Sequence, residues 1–179
     1  MIVVVIIGIS AALVAPAMMR SMAISRTNRC QYDVARLFRT ARANAIGTGR
    51  AHLVAATPTA GNYRLETFIG DSSSCSRSSW DVITGLGGVP SDSVYETGYT
   101  TGGHGVRFSY RTPAGGTQPR HVCFEPQGER FERPGAAGVF TRGDATLSFD
   151  IDRLENGAVA GDPTRRIILP QFGTPRVFR

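Results

Sequence analysis

The feature that most constrains this chain is its first nineteen residues, MIVVVIIGISAALVAPAMM, which carry no charge before Arg20. Nineteen helical residues rise about 28 Å, close to the roughly 30 Å of a bilayer's hydrocarbon core. A core helix of a soluble domain normally shows a polar stripe, and this run offers only Ser10. The triplet Ala15-Pro16-Ala17 imitates a signal-peptide cleavage site, but no basic region stands before the apolar run. A membrane anchor is therefore the expectation for residues 1–19.

Past Arg20, apolar positions recur at three- and four-residue steps: Ala23, Ile24, Val34, Ala35, Leu37, Phe38, Ala41 and Ala45. Gly47-Thr48-Gly49 supplies the stop. The pattern predicts one helix, apolar throughout in its first half (1–19) and amphipathic in its second (20–47). Pro16 should kink it, and Gly8 is a second soft point. Charge is concentrated in the same place. All twenty basic residues are Arg, and the formal net charge is +6. Arg20, Arg26, Arg29, Arg36, Arg39, Arg42 and Arg50 face a single acid, Asp33, while the remainder of the chain is formally neutral. That distribution weakens the nucleic-acid reading which a basic chain invites.

Residues 48–179 read as short strands separated by Gly, Pro, Asn, Asp and Ser clusters. Candidate strands are 50–56, 62–69, 79–84, 105–112, 120–124, 145–151 and 165–170, with exposed loops at 70–79, 98–105 and 112–119. No second long helical pattern occurs. The expected fold is α+β: a long N-terminal helix, its first half membrane-embedded, packed on an antiparallel β-sheet head.

The stretch MIVVVIIGISAALVAPAM resembles the N-terminal helix of type IV pilins and type II secretion pseudopilins, in the Val/Ile run before Gly8 and in the placing of Pro16. The continuation VARLFRTARANAIGTGRAHLVAA is similar to the GspH/FimT group of minor pseudopilins and minor pilins, through Ala41, Arg42, Ala45 and Ile46. A weaker likeness returns at Phe124-Glu125-Pro126-Gln127-Gly128 and in the last fifteen residues. The family's Phe-Thr-Leu-Ile-Glu-type segment and its basic leader would fall upstream of Met1; the preferred expectation is a true start further upstream, in a precursor processed and methylated there, and the alternative is a product that lacks both.

The resemblance implies a filament subunit of a type IV pilus or type II secretion system, near the tip, which initiates assembly or contacts cargo. It implies residence in the bacterial inner membrane with a single pass and the head in the periplasm. Its expected partners are other pilins or pseudopilins through the N-terminal helix, the inner membrane, secreted protein cargo and, in the alternative, DNA. Gly8, Ala11, Ala12 and Ala15 would permit close helix contact, and the helix arginines Arg26, Arg29, Arg36, Arg39 and Arg42 would meet headgroups or neighbouring subunits. The alternative function is that of a DNA-binding minor pilin. Gly173-Thr174-Pro175-Arg176-Val177-Phe178-Arg179 resembles the Gly-Arg-x-Arg tail of that group, interrupted by Thr174 and Pro175. Arg176 and Arg179, supplemented by Arg165 and Arg166, would grip phosphates. A final strand with solvated or paired arginines is the other reading of the same residues.

Cys30, Cys75 and Cys123 have no CxxC spacing, which disfavours zinc. A periplasmic head would permit oxidation. Cys75, in a serine-rich loop, and Cys123, in a candidate strand, are the preferred pair; Cys30 can replace either, and three free thiols remain open. No enzyme motif stands out. His52, His104 and His121 are scattered, Ser72-Ser73-Ser74 reads as a polar loop, and Gly85-Leu86-Gly87-Gly88 and Gly102-Gly103-His104-Gly105 read as turns. Asp150, Asp152 and Glu155 form the best carboxylate cluster, read as a solvated strand edge in preference to a calcium site. No catalysis, cofactor or metal is expected.

Overall fold

In a computed structural model, the residues described are 2–59, 62–78, 80, 95–96, 104–111, 120–134, 138–143, 146–155 and 158–178, with side chains of 2–17, 19, 20, 23, 57–59, 62–64, 95–96 and 104–111 outside the description. One helix, α1 (Ile2–Thr48), precedes β1 (His52–Thr59), β2 (Asn62–Ile69), β3 (Tyr95–Glu96), β4 (His104–Arg111), β5 (Arg120–Phe124), β6 (Arg130–Pro134), β7 (Thr141–Arg142), β8 (Leu147–Glu155), β9 (Ala158–Val159), β10 (Arg165–Leu169) and β11 (Arg176–Phe178). Gly49, at φ 67°, ends the helix: its N–H donates to Ala45 O at 3.2 Å from a backbone conformation that other residues rarely adopt.

The strands form two antiparallel sheets. The first runs β3-β2-β1-β5-β6-β7; the second runs β11-β10-β8-β4, with β9 paired to β8. Alternation along β1 shows why the first sheet is covered on both faces. Val54 and Ala56 join a core with Val34, Leu37, Phe38, Ala41 and Ala45 of α1, Leu65, Val122 and Phe124 of the first sheet, and Leu147, Phe149, Ile151, Ile167 and Leu169 of the second. Their neighbours Ala51, Leu53 and Ala55 turn the other way, to a smaller cluster with Cys75, Cys123 and Phe140. In the larger core, Phe38 stacks on Phe149 with ring centroids 5.0 Å apart, joining helix to second sheet.

The smaller cluster is roofed by a loop, residues 70–78. Ala51 N donates to Ser72 O at 2.8 Å and Gly70 N donates to Ala51 O at 2.7 Å, folding the loop back over the end of β1. A Cβ at Gly70 would lie 2.4 Å from Ser78 Oγ, so a side chain there would displace the roof. The serine run knits the loop to itself: Ser72 Oγ and Ser78 Oγ lie 2.9 Å apart, and Ser78 Oγ donates to Ser74 O at 2.8 Å. A disulfide between Cys75 and Cys123, 48 residues apart, fastens it to β5. Glu125 Oε1 accepts from Cys75 N at 2.9 Å. Cys30 is buried in α1 and takes no part in the disulfide.

Two parts of the expected architecture are corrected. The head is not one antiparallel sheet under a helix but two sheets with α1 against both, and strand residues outnumber helical ones. The expected apolar span is not found either: among the described residues no helix is long and apolar enough to cross a membrane. From Met18 onward Ser21, Ser25, Arg26, Asn28, Arg29 and Gln31 interrupt every apolar stretch. The helix is amphipathic there, buried along Thr27, Cys30, Gln31, Val34, Phe38, Ala41 and Ala45. Apart from Met18, the side chains of the 1–19 run, Pro16 among them, lie outside the described residues, as does the packing of Gly8. So do most of the expected strand 79–84 and the loops 98–103 and 112–119.

Candidate functional site

The C-terminal arginines fall on the second sheet, and the expected tail is a strand. β11 pairs with β10 so that Arg166 faces Phe178 and Ile168 faces Arg176. The helix clamps this strand through its carbonyls. Gln31 Nε2 donates to Phe178 O at 2.8 Å, and Arg39 Nη2 donates to Pro175 O at 3.1 Å. Arg166 grips Asp150 with two hydrogen bonds, Nε to Oδ1 at 2.6 Å and Nη2 to Oδ2 at 3.2 Å. Those bonds and the attraction of the Asp150 carboxylate raise the Arg166 pKa further. Arg165 Nε donates to Asn28 Oδ1 at 2.7 Å. Arg176 is exposed, while Arg179 lies outside the described residues. The structure therefore does not gather Arg165, Arg166 and Arg176 into one uncompensated basic patch.

The helix arginines also divide. Arg29 pairs loosely with Asp33 at 3.6 Å, Arg42 Nε donates to Gly128 O at 3.2 Å, and Arg26 and Arg36 are exposed. Met18 and Met22, one turn apart, are 56% and 55% exposed. The first buried helix residue among those described is Thr27. α1 thus carries an apolar pair ahead of the point where it meets the head.

The acidic cluster is not a solvated edge. Asp150 and Asp152 are buried, Asp150 against Arg166 and Asp152 accepting from Thr164 Oγ1 at 2.8 Å. Arg153 binds Asp162 through Nε and Glu155 through Nη1 at 3.2 Å. The expectation failed because alternation places Asp150 and Asp152 on one face without showing that Arg166 and the 160–164 segment cover it. Among the described residues no three His, Cys, Asp or Glu side chains are placed to hold a metal.

His52 and His121 are buried separately, and the His104 side chain is outside the description. His52 Nε2 lies 3.1 Å from Thr48 Oγ1, whose own hydrogen goes to Asn44 O at 2.7 Å, so the ring donates. Burial lowers its pKa. Burial, and secondarily the nearby Arg133 charge, lower His121 to about 4.

Arg133, Trp80 and Phe140 were not candidates from the sequence, yet they line a cleft of about 170 Å³ beside the disulfide, with Cys75, Ser76, Ser78, Gly138 and Val139. The Arg133 guanidinium carbon stands 4.6 Å from the centre of the Phe140 ring, and Trp80 tilts against that ring at 6.1 Å. Among the described residues Arg133 Nε is buried with no hydrogen-bond partner, and no carboxylate lines the cleft. Burial lowers the Arg133 pKa. His121, opposite Arg133 in the strand register, is 8% exposed, and its Nδ1 also lacks a partner. The sequence signal was slight: an Arg two residues beyond the buried-facing Phe131, with aromatic partners distant in the chain. Comparison with family models, with curated proteins and with solved structures finds no match to this chain.

Proposed function

We propose that the chain is a non-catalytic assembly subunit of the pilin and pseudopilin kind, acting as a minor subunit near a filament tip in assembly initiation or cargo contact. Its place is the bacterial inner membrane, with the head on the periplasmic side. The observation that carries this reading is the exposure of Met18 and Met22 ahead of the docked part of α1. Two large apolar side chains one turn apart, at the end of an uncharged nineteen-residue run and just beyond it, call for cover by lipid or by neighbouring helices. The Cys75–Cys123 bond fits an oxidising compartment.

The test is fractionation of the full chain expressed in a Gram-negative host. The expected result is an inner-membrane protein that resists carbonate, dissolves in detergent and becomes soluble on deletion of residues 2–19. Cysteine placed at Met18 or Met22 should cross-link to another subunit in assembled material. A full chain that stays soluble without detergent, or cross-links only within its own head, overturns the reading.

A further inference from the structure

The arginines of the first sheet differ in one respect. Arg120 meets Glu132 at 2.9 Å, Arg130 meets Glu132 at 2.7 Å, and Arg142 meets Glu129 at 2.8 Å. Arg133 has no carboxylate among the described residues, although it is half-buried and burial alone disfavours its charge. Its face is set by alternation along β6: Arg130 and Glu132 turn to the interior between the sheets, and Phe131 and Arg133 turn to the cleft side. A cation stacked on Phe140, walled by Trp80 and bordered by Ser76 is a seat for an anion with an apolar stem.

Size and charge select the occupant. A cleft of about 170 Å³ is well below the roughly 300 Å³ at which pockets for drug-sized ligands begin, so it admits about one side chain. Val139, 76% exposed on the rim, offers apolar contact to whatever leads away from the seat.

We propose that this cleft is a docking site for an acidic, apolar segment of a partner polypeptide, whose carboxylate-bearing side chain enters the cleft to seat on the Arg133 guanidinium while an adjacent apolar side chain lies outside on the rim against Val139. The site does not depend on the filament reading: a partner peptide can dock there whether or not the chain enters a filament.

Trp80, the chain's one tryptophan, is its own reporter. Full chain in detergent is titrated with acetyl-Phe-Glu-Ala amide and, separately, with acetyl-Phe-Gln-Ala amide, phenylacetate and inorganic phosphate. The expected result is a saturable change in Trp80 emission with the Glu peptide, at least about tenfold weaker for the Gln peptide. Arg133→Gln should lose the same factor, while Arg77→Gln, an exposed arginine of the neighbouring loop, should keep wild-type affinity. Should Arg133→Gln fail to fold, Val139→Asp tests the seat from the rim and should weaken the Glu peptide by like charge. Equal binding of the Glu and Gln peptides, or no response to either, overturns the proposal. Phosphate or phenylacetate binding as tightly as the peptide overturns it in favour of a small-anion site. An emission change on Asp81→Asn/Asp92→Asn without peptide, together with peptide binding only in that variant, overturns it in favour of an acid from the chain itself.

Discussion

The two faces of the first sheet are closed by different means. Its inner face is sealed by regular elements, α1 and the second sheet, and the charges that reach it are paired. Arg130, fully buried, binds Leu169 O through Nη1 and Glu132 through Nη2, linking the sheets across the core. Its outer face is sealed by the irregular 70–78 loop and by Phe140, held down by a covalent bond, and leaves Arg133 without an acid among the described residues. Regular elements bury enough apolar surface to hold themselves in place; a short polar loop does not, and needs the disulfide.

The largest effect should come from the inner face. Arg130→Met removes one partner from Glu132 and the donor to Leu169 O, leaving buried acceptors uncompensated. A loss of about 3–5 kcal/mol in denaturant unfolding is expected. A loss below about 1 kcal/mol would show that the two sheets do not depend on this link. Cys75→Ser/Cys123→Ser should rank next, at about 2–4 kcal/mol, because the bond closes a loop of 48 residues in the unfolded chain. Protease cleavage within 70–78 should rise more than cleavage elsewhere. Uniform sensitisation would remove the distinction between the two faces.

Acid should act through the buried histidines. His121, held near 4 against an ordinary 6.5, and His52, lowered in the same direction, are neutral in the fold but take protons readily when unfolded. Between those pKa values the unfolded state binds more protons, so stability is full above about 6.5 and falls as pH drops toward 4. For His121 the loss is on the order of 2 kcal/mol after allowance for solvent screening. His121→Gln should flatten that part of the unfolding profile; an unchanged slope would assign it to other groups.

Legibility from sequence followed the same division. The buried stripe of α1 at Val34, Phe38, Ala41 and Ala45 follows from helical spacing, and strands rich in Val, Ile and Phe could be placed because alternation and turn residues bound them. The existence of two sheets could not be read. β6, with the sequence RFERP, looks like a charged turn until Arg130 and Glu132 are seen to satisfy each other inside. β11 looks like a tail until Gln31 and Arg39 take its carbonyls. The cleft was still less legible, because Trp80, Arg133 and Phe140 come together only where the roof loop meets the first sheet. Periodicity reports a residue's own face but not what covers it.

The smallest effect should come from the outer face and is the sharpest test of the contrast. Arg133→Gln removes a cation that has no acid partner among the described residues and, among them, stacks on Phe140, a contact worth about 0.5–1 kcal/mol. Against that loss, a half-buried charge no longer has to be desolvated, and the field that helps depress His121 disappears. Net stability at pH 7 should stay within about 0.5 kcal/mol of wild type. The His121 pKa, followed by NMR, should rise from about 4 as the repulsion is removed, while remaining below its ordinary value because burial persists. Arg130 and Arg133 stand on one five-residue strand but face opposite sides, so a large loss at one and almost none at the other is the outcome this architecture requires. If Arg133→Gln cost as much as Arg130→Met, Arg133 would be holding the roof in place, and the open cation on the outer face would be a structural strut.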